Sequence, residues 1–492
     1  FDKEEAYPHS AFERAWKQLL LNQFHDILPG SSLKEVYDLA LQQQEDSLRT
    51  FIGYARRSRN KLAEMIAHNE KDVVVFNTLG HHQSGLCKLP DSKATSIYNE
   101  QGARLPSFHD GTSLWFYCAE VPPKGWQRLS LGVGDNEAPA VFSWKDLTLE
   151  TPYYLAVFSP NGSLARLYDK EACCEVLVPG GKGNALTLSV DYPKEYDAWN
   201  IGKQGKDMRY RIDVKTSFSV VTNHALAFTL QWAYQWGKSR FTQQATFYAH
   251  TRRIDFSLEC DYQEDHLMLR TEFDVDVCFP RASYDIAFGV CERTTHTNTS
   301  WDEAQFEVPA HKWVDLSDES YGVALLSKQN YGYSAKGHTL SLSLLRTPTY
   351  PNREADRGMH QFSYALYPHK GRFQEAKVIE EGYNFHQPLL VVKPEQVRNI
   401  LPAEASLVSC PDEGIVIETV KKSEDRNSLI LRILQLNGKR VKSHLHSLLP
   451  IFEAYQCNLL EERLVLLTRD DEGVALSLRP HEIQTVELVL QQ

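Results

Sequence analysis

The pair His25–Asp26 is the feature of this sequence that most directly suggests chemistry. It lies in "LLLNQFHDILPGSS", residues 19–32, at the end of an amphipathic segment and just before a Pro–Gly break. A neutral imidazole can bind a metal ion when two or three further ligands come from elsewhere in the fold. A protonated histidine in a last helical turn can instead stabilise the helix by complementing its dipole. These residues alone leave both interpretations open.

Common catalytic motifs are missing from the rest of the sequence. There is no G-x-S-x-G nucleophile elbow, and "GGKGN" at 180–184 lacks the spacing of a phosphate-binding loop. "HEIQT" at 481–485 lacks the second histidine of a zinc-protease helix. No catalytic residue is therefore identified from motifs in this chain.

Two helices joined by the Pro–Gly break would position His25–Asp26. Ser10 with Glu13, and Ser32 with Glu35, have the spacing of capping boxes, and apolar residues recur at helical intervals after each of them. Because Pro and Gly end a helix, an antiparallel helical pair is the simplest arrangement. The pattern predicts a helical bundle segment over residues 1–68.

From residue 72 the pattern changes to short strands. Segments such as "DVVVFNTL" and "RIDFSLECDY" alternate with turns such as "PNGS" and "PGGKGN", and helical segments are scarce. This favours β-sandwiches over alternating βαβ units. We predict a mainly β protein with a small sandwich at 72–150, a large one at 151–390 and a C-terminal one at 391–492.

Composition narrows the class of protein. With 492 residues, 42% of them hydrophobic and 24% charged, the chain has an ordinary globular composition. No apolar run approaches the ~18–20 residues of a membrane span, so no membrane segment is predicted. A net charge of −11 without a basic face argues against nucleic-acid binding. Nine cysteines without a C-x-x-C pair indicate free thiols and a cytoplasmic location.

Several long segments, in one order, resemble a known family. They are "LLLNQFHDILPGSS", "VVVFNTLGHHQSG", "GSLARLYDKEACCEVL", "GNALTLSVDYPKEYDAWNI" and the long stretch at 306–371 that begins "FEVPAHKWVDL". Together they resemble the family 38 glycoside hydrolases, the class II α-mannosidases, and most closely their bacterial and cytosolic branch. The resemblance extends over nearly the whole chain, and it implies that the central sandwich is of the galactose-mutarotase type.

The resemblance implies a role for five residues of this chain. His25 would be one ligand of a divalent metal ion, usually zinc, and Asp26 would hydrogen-bond the hydroxyls of the sugar. Arg357 in "EADRG", with Asp197 and Trp199 in "YDAW", would line the substrate cleft. For Arg357 and Asp197 the alternative is an ordinary salt bridge of little energetic value.

The chain also departs from the family pattern. No H-x-D occurs in it, so the metal-binding pair of the family's N-terminal segment is absent. The nucleophile and the acid/base belong to the family's N-terminal α/β domain, and a retaining glycosidase needs two carboxylates about 5–5.5 Å apart. We therefore expect the C-terminal portion of an α-mannosidase. It would be inactive alone, would pack against the N-terminal catalytic domain, and would act with it on mannose-containing oligosaccharides.

Two alternatives stay open at this stage. The chain could be a non-catalytic carbohydrate-binding or scaffold fragment, or a sugar-modifying enzyme of the mutarotase type with its own histidine and carboxylate in the sandwich concavity. The main interpretation makes a structural prediction. The helix face beside His25 should be exposed in the isolated chain, where an apolar patch would favour association, including a homo-oligomer.

Overall fold

The first elements are two antiparallel helices. The computed structural model describes residues 7–134, 141–202 and 208–491. Within it, helix α1 spans His9–Leu21 and helix α2 spans Lys34–Ile66. They confirm the predicted helical segment at the start of the chain.

Neither predicted capping box caps a helix. Helix α1 begins after Pro8 and α2 after Leu33, and neither of these residues makes a side-chain cap. Instead, the N–H of Ser32 donates to the hydroxyl of Tyr37 at 3.0 Å. A side chain of α2 therefore holds the turn by accepting this N–H. Gly30 adopts the positive φ of 80° that the turn requires.

Each helix buries one face against the other. The Ser47 hydroxyl lies 3.3 Å from the carbonyl oxygen of Ala15, and the Asn22 amide donates to the side chain of Gln43 at 3.2 Å. At the far end of the hairpin, Ile66 of α2 is fully buried against the first β-sheet. The hairpin is thus anchored where α2 ends, with the turn that carries His25 at its opposite end.

Strands make up most of the remaining described chain. The first group is β1 (Asp72–Asn77), β2 (Gln83–Leu89), β3 (Ser96–Tyr98), β4 (Ser107–His109), β5 (Leu114–Val121), β6 (Gly125–Gly132), β7 (Ser143–Lys145), β8 (Thr148–Glu150), β9 (Tyr154–Phe158), β10 (Leu164–Asp169), β11 (Cys174–Glu175) and β12 (Ala185–Val190). The second is β13 (Arg209–Arg211), β14 (Phe218–His224), β15 (Ala227–Trp236), β16 (Ser239–Tyr248), β17 (Ile254–Tyr262), β18 (Leu267–Asp274), β19 (Arg281–Ile286), β20 (Gly289–Thr294), α3 (Ser300–Ala304), β21 (Val308–Pro309), β22 (Trp313–Ser317), β23 (Tyr321–Ser327), β24 (Gly332–Lys336), β25 (Thr339–Leu345) and β26 (Gly358–Lys370). The third is α4 (Val378–His386), β27 (Leu390–Val392), β28 (Glu404–Ser406), β29 (Val408–Ser409), β30 (Ile415–Lys422), β31 (Leu429–Gln435), β32 (Val441–Ser447), β33 (Ile451–Cys457), β34 (Arg463–Leu466), β35 (Arg469–Asp470), β36 (Gly473–Leu478) and β37 (Ile483–Leu490).

A small antiparallel sandwich follows the helices. Its first sheet has the order β27–β1–β6–β28, and the facing sheet has the order β2–β5–β4. Strands β27 and β28 return from far along the chain to cover both edges of the β1–β6 pair. The boundary predicted at residue 391 is therefore wrong, because β27 and β28, at residues 390–392 and 404–406, still belong to the small sandwich. The boundary at 150 is also wrong, since β8 pairs with β9 of the next sandwich and β7 pairs with β8.

The central sandwich is the largest part of the protein. A nine-stranded sheet, β14–β15–β16–β17–β26–β23–β22–β19–β20, packs against a six-stranded sheet, β13–β12–β18–β25–β24–β21. A five-stranded sheet formed by β7–β11 adds to the same core. Large rings such as Trp232, Phe256 and Tyr364 are fully or almost fully buried between the sheets. These three rings come from the nine-stranded sheet, and their burial against the facing sheet stabilises the sandwich.

A last sandwich closes the chain. It pairs the sheet β30–β31–β37–β33–β34 with the sheet β29–β32–β36–β35 around its own apolar core. Helix α4 joins it to the central sandwich, because Tyr383 packs in one cluster with Trp313 and Leu434. The predicted fold class, mainly β with N-terminal helices, is confirmed. Within the described residues, no helix is long and apolar enough to cross a membrane.

The carboxylate of Glu487, on β37, is buried between two arginines. Arg426 and Arg463 each donate to it at 2.8 Å, and the Ser428 hydroxyl donates at 2.6 Å. Burial alone would raise the pKa of Glu487, but these donors outweigh burial and lower the pKa to about 2. The charged form is therefore the one that the fold stabilises.

This arrangement makes a prediction about acid stability. Because the pKa of Glu487 is lower in the folded than in the unfolded chain, its contribution is complete above about pH 5 and is lost as the pH falls towards 2. We expect about 2–3 kcal/mol of the free energy of unfolding to disappear over that range. Urea denaturation at several pH values should show this loss in the wild type and in the exposed control Glu70→Gln, but not in Glu487→Gln. Equal pH slopes in all three proteins would contradict it.

Candidate functional site

His25 and Asp26 lie in the turn between α1 and α2, four and five residues beyond the last residue of α1. The interpretation of His25 as part of a last helical turn is therefore wrong. The two side chains are 67% and 53% exposed, and His25 Nε2 lies 3.6 Å from Asp26 Oδ2. An imidazole nitrogen and a carboxylate oxygen thus lie side by side at an open surface, where both are accessible to a ligand.

Tyr37 holds the backbone of this turn. Its hydroxyl lies 3.2 Å from the carbonyl oxygen of Asp26 and 3.3 Å from that of Ile27, and it accepts the N–H of Ser32. Burial and the nearby carboxylates of Asp356 and Asp26 raise the pKa of Tyr37, so the hydroxyl keeps its proton. One phenol therefore fixes both sides of the turn that presents His25.

The loop between β25 and β26 lies beside this turn. Lys34, the first residue of α2, forms an ion pair with Glu354 at 2.5 Å. Two residues further, Asp356 is solvent-accessible, yet the surrounding protein raises its pKa, an effect that His360 and Arg346 only partly offset. The Asp356 carboxylate acts electrostatically on the Tyr37 hydroxyl, which places this loop close to the turn.

Arg357 and Asp197 already have partners in this chain. Arg357 forms an ion pair with Asp265 at the surface. The Asp197 carboxylate accepts the N–H of Thr349 at 2.7 Å and lies 3.5 Å from His266 Nδ1. Asp197 therefore fixes its own loop against the chain that follows β25, and the substrate-binding roles of both residues stay predictions.

Trp199 remains free to contact a ligand. Its side chain belongs to the loop after β12 and is 53% exposed. Arg346 ties this loop down by donating to the carbonyl oxygens of Asp197 and Asn200. Other large rings on the same loops are exposed as well: Tyr192, Tyr196 and Tyr350. Exposed aromatic rings on anchored loops suit the apolar faces of sugars.

Sequence reasoning missed two residues of this region. Tyr37 sits at an ordinary position of an amphipathic helix, and only the fold shows that its hydroxyl reaches the turn. Asp356 lies next to Arg357 in "EADRG", but the sequence does not reveal that the fold surrounds its carboxyl and thereby raises its pKa. A positive φ of 56° at Asp356 is the local sign of an unusual backbone.

The donor set fits part of a metal site. His25 offers an exposed imidazole nitrogen, the ligand atom that zinc prefers among nitrogen donors, and Asp26 offers an oxygen beside it. Within the described residues, no group of three or more His, Cys, Asp or Glu side chains could hold a metal ion. Since such sites need three or four ligands, an ion bound at His25 would require ligands from outside the described residues.

The role of Tyr37 can be tested on the isolated chain. We expect Tyr37→Phe to lower the free energy of unfolding by about 1–2 kcal/mol, because the Ser32 N–H and two carbonyl groups lose a partner. Hydrogen exchange at the Ser32 amide should become faster. Tyr54→Phe, which removes a hydroxyl from the same helix far from the turn, is the control. Unchanged exchange in Tyr37→Phe would show that the phenol does not hold the turn.

Sequence comparison identifies relatives of this chain. Family profiles match in order: the alpha mannosidase middle domain at residues 1–62, the glycosyl hydrolases family 38 C-terminal domain at 149–354, and the C-terminal beta sandwich domain of the same family at 414–486. Alpha-mannosidase 2C1 of Mus musculus is 32% identical and that of Homo sapiens 33%, each over 99% of this chain and 46% of the relative. The chain thus spans about half the length of these curated relatives.

Solved structures share the fold. An alpha-mannosidase from Enterococcus faecalis V583 superposes with a TM-score of 0.81 at 17% identity, over 98% of this chain and 64% of that one. A family 38 glycosyl hydrolase protein from Enterococcus faecalis gives 0.80 at 19% identity, over 98% and 66%. The arrangement of helices and sandwiches is therefore shared, and the matched profiles assign it to one family. The chain belongs to the family 38 glycosyl hydrolases, of which it carries middle-domain and C-terminal regions.

Proposed function

We propose that this chain is part of a retaining α-mannosidase that hydrolyses terminal α-mannosyl residues of oligosaccharides. In this proposal the chain supplies one ligand of a divalent metal ion and one side of the substrate cleft. The observation that carries it is the exposed His25–Asp26 pair on a turn that Tyr37 fixes. The family of the chain and the α-mannosidases among its relatives support the reaction class.

Each residue has a distinct part in this proposal. His25 Nε2 would bind the ion, and Asp26 would accept hydrogen bonds from sugar hydroxyls. Trp199 would contact the sugar or its neighbour, while Arg357 and Asp197 would complete the cleft wall. A divalent ion, expected to be zinc, would hold hydroxyl oxygens of the sugar and so favour the ring distortion that leads to an oxocarbenium-like transition state. The nucleophile and acid/base would come from polypeptide outside this chain.

An apolar groove beside the turn supports a need for further polypeptide. Trp16, Leu20, Leu41, Leu48 and Ile52, here called the helical groove, are each more than 50% exposed. Ala15 and Ser47 mark the positions at which the two helices face each other. Because each residue advances by about 100° around a helix, all five side chains lie on the same side of the hairpin relative to these positions. Two helices with a shared apolar side are an incomplete bundle. The prediction that this face is exposed is confirmed.

We infer that the N-terminal catalytic region of the same protein covers the helical groove and completes the active site. A second copy of this chain, in a homo-oligomer, is the competing occupant of the groove.

A cytoplasmic location is also part of this proposal. All nine cysteines are free, which supports it. The cavity lined by β12, β13, β15 and β16 gives the mutarotase alternative no support, since its described lining residues include no histidine.

The decisive experiment measures hydrolysis of p-nitrophenyl α-mannoside with zinc or cobalt present. The purified 492-residue chain should be inactive alone and active after mixing with an N-terminal α-mannosidase region. Activity of a mass-verified chain alone would contradict the assignment of the catalytic carboxylates to other polypeptide. Binding of mannose-containing oligosaccharides by the chain alone, unchanged in His25→Ala and without activity on mixing, would favour a non-catalytic carbohydrate-binding fragment.

A further inference from the structure

A polar cavity of about 580 Å³ lies in the central sandwich. Residues of β12 and β13 in the six-stranded sheet line one side, and residues of β15 and β16 in the nine-stranded sheet line the other. Its volume is within the ~300–1,000 Å³ of typical small-ligand sites. Asn184, which lines the cavity, immediately precedes β12, and the loop that carries Asp197 follows the C-terminal end of β12. The length of β12 therefore separates the cavity from the loop of Asp197 by about 20 Å.

Positive charge dominates the lining of this cavity. The described lining residues include the cations Lys182, Arg211 and Lys215, against the single carboxylate of Asp213. This excess is notable in a chain whose net charge is −11. The Lys182 ammonium donates at 2.9 Å to the neutral hydroxyl of Ser159, and no carboxylate lies within ion-pair distance of it among the described residues. The cavity therefore favours an anionic occupant.

Two buried amides add hydrogen-bond donors. Asn184 and Gln243 line the cavity and are 2% and 3% exposed. Their oxygens are used, since Tyr364 donates to Asn184 at 2.5 Å and Trp232 donates to Gln243 at 3.0 Å. In the described structure, neither amide nitrogen has an acceptor. Unpaired buried amide groups are costly, at about 1–3 kcal/mol each, and these two make the wall of the cavity polar.

We propose that this cavity binds a small molecule that carries an oxyanion, either a carboxylate or a phosphate, on a sugar-sized body. Lys182 provides the charge contact, and the amides of Asn184 and Gln243 favour acceptors beside it. Arg211 is already paired with Asp274 at 3.2 Å, so it contributes less than Lys182. The Asp213 carboxylate limits the total charge that the cavity accepts and can receive a hydroxyl of the ligand.

Calorimetry on the 492-residue chain tests this proposal with three probes that share one ring. Glucose 6-phosphate and glucuronate carry the two oxyanions, and glucose carries none. At least one charged probe should bind at least ~10-fold more tightly than glucose, and added salt should weaken it. Which of the two binds more tightly identifies the oxyanion. No binding of either charged probe, or equal binding of all three, would overturn the proposal.

Variants then locate the bound probe. Lys182→Met should weaken binding by at least ~10-fold, because it removes a charged hydrogen bond. Lys145→Met, an exposed lysine on β7, is the matched control and should bind as the wild type does. If Lys182→Met does not fold, judged by thermal unfolding, the exposed Lys215→Met decides instead. A loss of about 3-fold or more supports the cavity, and unchanged affinity overturns it.

Discussion

His25→Ala is expected to reduce α-mannoside hydrolysis by the complemented enzyme at least ~100-fold, since removal of even an outer partner of a metal ligand costs 10–100-fold. The isolated chain should lose little stability, because the His25 side chain is two-thirds exposed and contacts mainly Phe24 and Asp26. The change therefore separates a role in metal binding from a role in folding. An exposed control, His338→Ala on the central sandwich, should keep full activity.

Metal content gives a readout independent of turnover. Zinc bound per complemented enzyme should fall in His25→Ala and stay unchanged in Asp26→Asn if Asp26 contacts only the sugar. In Asp26→Asn we then expect a loss in kcat/KM with the ion retained. Full activity and full zinc content in His25→Ala would refute the proposed ligand role. A loss of activity with full zinc content would instead place His25 on the substrate.

The fold class was predictable because its signals are local. Helical spacing over the first residues and short strands between Gly- and Pro-rich turns appear within windows of ten residues or so. The two domain boundaries failed for the opposite reason. Strands β27 and β28 pair with β1 and β6, which lie about 275–320 residues earlier in the chain. No local sequence pattern predicts such a long-range strand pairing. The capping box at Ser32 failed because the Ser32 N–H donates to the Tyr37 hydroxyl instead of Glu35, and the one at Ser10 failed because Ser10 lies inside α1.

The candidate site was only partly accessible to sequence reasoning. Spacing alone left His25 between a helix cap and a metal ligand, and the resemblance decided which interpretation to pursue. The ion pair between Lys34 and Glu354 joins residues 320 positions apart, so its contribution to the site follows from the fold alone. Asp197 shows how little a family resemblance says about the role of a single residue, since its carboxylate accepts the backbone N–H of Thr349.

The double substitution Leu48→Glu and Ile52→Glu is expected to weaken association with the N-terminal region at least ~100-fold, the scale of about 3 kcal/mol that central apolar contacts carry in interfaces. Both residues lie in the helical groove and are 58% and 55% exposed, so the isolated chain should unfold at the same temperature as the wild type. Titration calorimetry measures the affinity, and p-nitrophenyl α-mannoside hydrolysis reports the assembled enzyme.

The control must also replace an exposed apolar side chain by a charge. Trp301→Glu does so on α3, where the tryptophan is 82% exposed and outside the groove. Wild-type association in that variant, with weak association in the groove variant, would show that the groove itself is the docking surface.

Sedimentation of the isolated chain distinguishes the two possible occupants of the groove, the N-terminal region and a second copy of this chain. A stable dimer that the groove substitutions dissociate, with association to the N-terminal region unchanged, would assign the groove to a second copy. Because a groove filled by its own copy cannot also receive the catalytic region, that result would refute the proposed assembly.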